Sequence, residues 1–154
     1  MVNFKLTVSV DRRPEDVFAF LLYKDRFPQP PGSPVLVLEK LTPGPPAVGT
    51  CYREVVRIAP GCRGEVLSTL TRHEPPRFLA EDFTGPGPMR GHLAYEFAPS
   101  DGGTLLIQRE TLEVVGPARV FSGLIGWVLG RRLQARLDDI KAILESGWRV
   151  DALA

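Results

Sequence analysis

A chain of 154 residues is long enough for one domain with one core and too short for two of ordinary size, so a single domain is expected over 1–154. Charge is nearly balanced at a formal +1 without any basic run, which removes the electrostatic footprint of a nucleic-acid binder. The 15 prolines and 15 glycines cluster between periodic segments, as in a multi-stranded protein with many turns.

The chain opens on its cleanest strand. Val2, Phe4, Leu6, Val8 and Val10 alternate with Asn3, Lys5, Thr7 and Ser9, which predicts one buried face. These residues also lack the basic-then-apolar order of a signal peptide. Pro14 stands where a first helical position is favoured, with Glu15 and Asp16 in the first turn. Val17, Phe18, Phe20, Leu21 and Leu22 then predict a short helix ending near Tyr23 to Asp25. Phe27 to Pro34 holds four prolines and one glycine and reads as an irregular loop.

Six strands follow as a meander, at about Val35–Leu41, Gly49–Ala59, Gly64–Arg72, Arg77–Phe83, Met89–Phe97 and Thr104–Val115. The breaks fall at Thr42–Val48, Pro60-Gly61, His73–Pro76, Gly85–Pro88 and Pro99–Gly103. The prolines of Gly85-Pro86-Gly87-Pro88 cannot donate amides, so that turn is no phosphate cradle. From Pro117 to Ser146, Phe121, Ile125, Leu129, Leu133, Leu137, Ile140 and Leu144 recur every three or four residues, with Arg131, Arg132, Arg136, Asp138, Asp139, Lys141 and Glu145 mostly at the other positions. This predicts a long amphipathic helix whose stripe needs a facing surface of matching length. The apolar window Val120–Leu129 is broken by Ser122, Gly123 and Gly126 and falls short of the ~20 residues that span a bilayer. A soluble, cytoplasmic protein without stable membrane insertion is expected.

Strand, short helix, six strands and long helix make an α+β layer arrangement. That order resembles the SRPBCC superfamily of START-like, Bet v 1-like and polyketide cyclase/dehydrase-like domains. So do Arg13-Pro14-Glu15-Asp16-Val17-Phe18 at the helix start, Val48-Gly49-Thr50 leading into the third strand and Glu74-Pro75-Pro76-Arg77 before the fifth. Tyr95-Glu96-Phe97 followed by Gly102-Gly103-Thr104 completes the set, and the likeness covers nearly the whole chain. The resemblance implies a helix-grip fold, a seven-stranded curved antiparallel sheet wrapped around the C-terminal helix with a cavity for an apolar ligand. It implies no single activity, since the superfamily includes carriers, cyclases, co-chaperone-like domains and sensors. Similar proteins often carry a second short helix with a tryptophan after the first. Here that place holds Pro28, Pro30, Pro31 and Pro34, which predicts a differently shaped cavity mouth.

Matching apolar faces fixes expected registers. A three-residue turn or a bulge at Pro60-Gly61 sets Tyr52 opposite Leu70, Glu54 opposite Ser68 and Val56 opposite Val66. The next turn sets Leu70 opposite Leu79, Ser68 opposite Glu81 and Val66 opposite Phe83. Leu93, Tyr95 and Phe97 then face inward on the sixth strand, and Leu105, Ile107 and Arg109 on the seventh. The candidate cavity lining is Tyr52, Glu54, Ser68, Glu81, Phe83, Tyr95 and Arg109 from the sheet, with Phe121, Ile125 and Leu129 from the helix. Glu54, Ser68 and Glu81 share a row, with Thr111 further along it, and two strand spacings put the carboxylates roughly 9–10 Å apart. In a dry cavity an unpaired carboxylate tends to hold its proton, its pKa rising by up to ~3–5 units, whereas beside Arg109 it stays ionised. Either state can orient a hydroxyl or carbonyl, and an acid of raised pKa can also serve proton transfer to an enol or enolate. A register one residue out would turn these charges to solvent.

Asp82, Arg53, Arg57 and Glu110 read as the solvated face of the sheet. His92 has outward parity, and His73 sits in a turn with Glu74. Cys51 and Cys62 fall near opposite ends of one hairpin, roughly 25–30 Å apart at ~3.3 Å per residue, which argues against a disulfide. Cysteines and histidines show no metal-ligand spacing, so neither a metal nor another cofactor is expected. Gly116, Gly123, Gly126 and Gly130 stand out, because an interior glycine weakens a helix by ~1 kcal/mol. One reading is a lumen widened along a bare helix face, and the other is a break before a helix that begins near Leu124. Trp127 and Val128 leave an outer apolar patch for a membrane or a partner.

The sequence is thus read as a binder of a hydrophobic or amphipathic small molecule (lipid, polyketide or quinone-like) between sheet and helix, a carrier or sensor rather than an enzyme. The principal rival is a polyketide cyclase or dehydratase that polarises carbonyls with Glu54, Glu81 or Arg109, no catalytic residue being assigned. A third reading is an interaction module that grips another protein through the groove or the Trp127 region. A homodimer is compatible with each of these readings.

Overall fold

The computed structural model describes residues 1–26, 29 and 32–147. Phe27, Pro28, Pro30 and Pro31 of the expected loop lie outside the described residues. The elements are β1 (Val2–Val10), α1 (Pro14–Leu22), β2 (Val35–Lys40), β3 (Cys51–Ala59), β4 (Cys62–Glu74), β5 (Phe78–Thr84), β6 (Met89–Ser100), β7 (Gly103–Val114), a 3-10 turn (Gly116–Phe121) and α2 (Ser122–Glu145). The strands form one antiparallel sheet in the order β1-β7-β6-β5-β4-β3-β2. The meander returns so that β7 pairs with β1, and the curved sheet grips α2 as the helix-grip fold requires.

α1 forms where Pro14 supplies the fixed φ of a first turn and Glu15 and Asp16 complement the helix dipole. It buries Val17, Phe18, Phe20, Leu21 and Leu22. Phe18 meets Phe97 edge-on at 5.2 Å between ring centroids, and the core continues through Val8, Val10, Leu70, Leu79, Leu106, Leu137, Ile140 and Leu144. Arg12 Nη1 donates to the Leu144 carbonyl at 2.8 Å and Thr104 Oγ1 to the Arg12 carbonyl at 2.7 Å, tying the end of α2 to the approach to α1.

The registers depart from expectation in two ways. Ala59 pairs with Cys62, so Pro60-Gly61 is a two-residue turn, and a bulge between Arg57 and Ala59 then restores the parity. Tyr52 lies opposite Ser68 and Glu54 opposite Val66, while Ser68 lies opposite Phe83 and Leu70 opposite Glu81. Each is two residues from the expected pairing. A slip of two keeps every side chain on its face, so only the rows change. β7 is out by one, which turns the strand over. Leu93 faces Glu110, Tyr95 faces Gln108 and Phe97 faces Leu106, so Leu105, Ile107 and Arg109 point outward and Glu110 points in. β1 explains the choice, because its apolar Val2, Phe4, Leu6, Val8 and Val10 pair with Leu112, Glu110, Gln108, Leu106 and Thr104.

The second expected reading of the glycines is close, since the helix begins two residues before Leu124, whereas Gly126 and Gly130 lie inside it against β1 and not along a lumen. α2 starts at Ser122, directly after the 3-10 turn. A Cβ on Gly126 would sit 2.9 Å from Val2 Cγ1, and one on Gly130 would sit 3.2 Å from Phe4 Cε1. Both glycines let the helix approach β1 closely.

Candidate functional site

Between the sheet and the middle of α2 lies a cavity of about 140 Å³. β7 contributes Gln108, Glu110 and Leu112, β6 contributes Leu93 and Tyr95, and β5 contributes Glu81 and Phe83. Val66 and Ser68 come from β4, Glu54 from β3, Phe4 from β1, and Leu129, Leu133 and Arg136 from α2. Beside it, between α2, the approach to β2 and the β3–β4 hairpin, a vestibule of about 420 Å³ is lined by Ser33, Val35, Arg57, Ile58, Ile140 and Ile143 among others. Leu133 and Arg136 line both spaces and form the partition between them.

The carboxylates are held differently. Arg136 Nη1 reaches Glu54 Oε1 at 3.1 Å, and the carboxylate of Glu54 holds the guanidinium charged more firmly than usual. Lys24, at the end of α1 and buried, contacts both Glu81 oxygens at 2.9 and 3.1 Å. Its Nζ also lies 4.5 Å from the Tyr52 ring centroid, a cation–π contact. Tyr52 donates its hydroxyl to the Leu22 carbonyl at 2.9 Å, and burial, then Asp25 and Glu81, push its phenol up. Burial likewise raises Tyr95, with Arg136 opposing, so its hydroxyl stays a neutral donor.

Glu110 is the exception. Burial pushes its carboxyl up to about 7, Arg136 opposes this, and Glu81 adds to it. Its Oε2 is buried with no hydrogen-bond partner among the described residues. A buried polar atom left unsatisfied costs ~1–3 kcal/mol, and such groups on a cavity wall characterise binding and catalytic sites.

Of the expected lining, the structure brings together Glu54, Ser68, Glu81, Phe83, Tyr95 and Leu129. Tyr52 is buried behind the wall, beside Lys24. Arg109 is a correction, since it lies on the outer face and reaches Glu96 at 3.4 Å. Thr111 is another, bonded outward to Asn3 at 3.1 Å. Phe121 sits in the 3-10 turn at 60% exposure, and Ile125 is half-buried outside the lining of either space. Glu110 is not on the solvated face. His73 lies in β4, 5.6 Å from the Phe18 ring, while His92 points outward to Asp82 at 2.7 Å. Among the described residues no group of three His, Cys, Asp or Glu could hold a metal ion.

Four site residues escape the sequence reading. Glu110 and Gln108 were hidden by the slip of β7. Arg136 follows Leu129 by seven and Leu133 by three, which is stripe spacing, but its charge marks it as wet. Lys24 is the basic residue that a helix C-terminus favours, and nothing local pairs it with Glu81, 57 residues away.

A grip sheet, a short helix after the first strand and a hollow under a long helix define the class of Bet v 1-like domains. Residues 1–145 match the family described as polyketide cyclase / dehydrase and lipid transport, and the chain belongs to that family. Among solved structures it is similar to TTHA0849 from Thermus thermophilus, at 17% identity over 96% of this chain and 100% of that one, with a TM-score of 0.72. Ara h 8.0201 matches at 14% identity over 95% and 99%, with a TM-score of 0.68. The di-domain ARO/CYC StfQ from the steffimycin biosynthetic pathway matches at 20% identity over 94% of this chain and 51% of that one, with a TM-score of 0.70. These likenesses concern the fold. A comparison with curated protein sequences gives no match.

Proposed function

We propose that the chain binds an amphipathic small molecule, lipid, polyketide or quinone-like, as a carrier or sensor. The observation that carries this reading is Glu110, which lines a largely apolar hollow while its buried Oε2 has no partner among the described residues. Near neutral pH Glu110 is partly protonated, so it can both donate to and accept from a hydroxyl or carbonyl. Tyr95 offers a second neutral donor. A hollow of about 140 Å³ resembles in size the ~150 Å³ apolar cavity that takes one benzene, so it suits a single ring or chain end. The rest of the guest would occupy the 420 Å³ vestibule, passing the Leu133 and Arg136 partition.

The same carboxyl favours a second reading as a cyclase or dehydratase. An acid titrating near 7 is matched to proton transfer at neutral pH, and the family description includes such enzymes. In that reading Glu110 and Tyr95 take the place first given to Arg109.

Native mass spectrometry of freshly purified protein tests both, alongside Ser68→Phe, which fills the hollow. A small compound retained by the wild type and lost in Ser68→Phe supports the carrier. Turnover of an oligoketide that falls in Glu110→Gln without a matching loss of binding supports the enzyme. Equal retention in wild type and Ser68→Phe would reject the cavity as the binding place.

A further inference from the structure

The start of α2 has two apolar sides, and the fold uses one. Gly126 and Leu129 turn toward β1 and the cavity. Leu124, Trp127 and Val128 are 37% to 62% exposed, at spacings of three and four that set them on one outward stripe, and Val120 and Phe121, 75% and 60% exposed, extend the apolar patch from the 3-10 turn before it. Contiguous exposed apolar side chains of this kind mark interaction surfaces. Charge on the same stretch has one sign. Between Glu113 and Asp138 the sequence holds Arg119, Arg131, Arg132 and Arg136 and no acid, in a chain whose net charge is only +1. Arg136 turns inward to Glu54, and Arg132 reaches the Ile58 carbonyl at 2.9 Å while remaining exposed. Arg131 stands 5.3 Å from the Trp127 ring centroid, so guanidinium and indole share one level.

We propose that this face docks on the surface of a bilayer containing anionic lipid. An apolar stripe bordered by arginines, with tryptophan among them, is the composition of a helix lying in the headgroup region. No helix among the described residues is long and apolar enough to cross a membrane, so the contact is peripheral. A second copy is the poorer occupant, because a two-fold contact would bring both sets of arginines together with no carboxylate in the stretch to offset them. The inference does not depend on what the cavity holds.

Flotation with vesicles of equal parts phosphatidylcholine and phosphatidylglycerol, against phosphatidylcholine alone, tests it. The wild type floats with the anionic vesicles and stays behind with the neutral ones, and added salt releases it. Leu124→Ser weakens binding by roughly tenfold or more, from the apolar area lost, and Arg131→Ala by roughly fivefold. Both positions are exposed, so circular dichroism should match the wild type. Wild-type protein that fails to float, or variants that float as well as it does, would overturn the proposal. So would a wild-type dimer in sedimentation velocity that Leu124→Ser dissolves, which assigns the face to a second copy. Retention on immobilised polyglutamate without flotation would assign it to an acidic protein and overturn the lipid reading as well.

Discussion

At one end of the sheet's inner face Phe97 packs on Phe18 while Leu106 and Leu144 are fully buried. Along the same strands, two residues from Phe97 and four from Leu106, Tyr95 and Glu110 border a hollow. The backbone is the same antiparallel ladder in both places. What differs is the type of side chain at inward positions. At the first end hydrocarbon side chains pack on one another, whereas Glu54, Glu81 and Glu110 must first satisfy their oxygens. Two do so on Arg136 and Lys24, whereas Glu110, beside Gln108, keeps a buried oxygen with no partner among the described residues.

Removing hydrocarbon from the solid end gives the largest loss. Leu144→Ala should cost about 3–5 kcal/mol in urea unfolding, and a cost below about 1 kcal/mol would show that this end is loose as well. At the hollow end the expected effect is smaller and depends on pH. Glu110 holds its proton up to about pH 7 in the folded chain, against 4.5 as its ordinary value. Between those limits the folded state carries the extra proton, so stability falls as pH rises, by on the order of 3 kcal/mol in all. Glu110→Gln should remove that slope and leave the protein more stable than wild type at pH 8, as paired urea melts at pH 5 and pH 8 would show. Gly126→Leu pushes α2 off Val2 and should cost about 1–3 kcal/mol. Arg109→Ala, on the outer face, should change stability by no more than about 0.5 kcal/mol and leave retention of any guest untouched. A guest lost from that variant would place Arg109 inside after all.

The sequence showed the fold clearly and the site in part, for one physical reason. Periodicity reports which side of an element is apolar, so β1, α1 and α2 were legible from their own residues. It reports parity but not rows, so turn lengths combined with the bulges after Arg57 and Leu70 moved Glu54, Ser68 and Glu81 along the face without removing them from it. β7 failed because both of its sides carry leucine or isoleucine, Leu105 and Ile107 outward and Leu106 and Leu112 inward, and the inward side also holds Thr104, Gln108 and Glu110. Pairing it to β1, whose parity is unambiguous, would have corrected it. Lys24 and Arg136 were out of reach for a different reason. A cation turned toward the interior is recognised by its partner, and both partners, Glu81 and Glu54, lie far away in sequence.

The contrast between the two ends is tested most directly by a carbon-13 titration of the Glu110 carboxyl, assigned by comparison with Glu110→Gln. The account predicts a midpoint near 7 that moves higher in Arg136→Met, where the opposing guanidinium is gone. A midpoint near 4.5, unchanged in that variant, would mean that the group stands in water and that the hollow is not there.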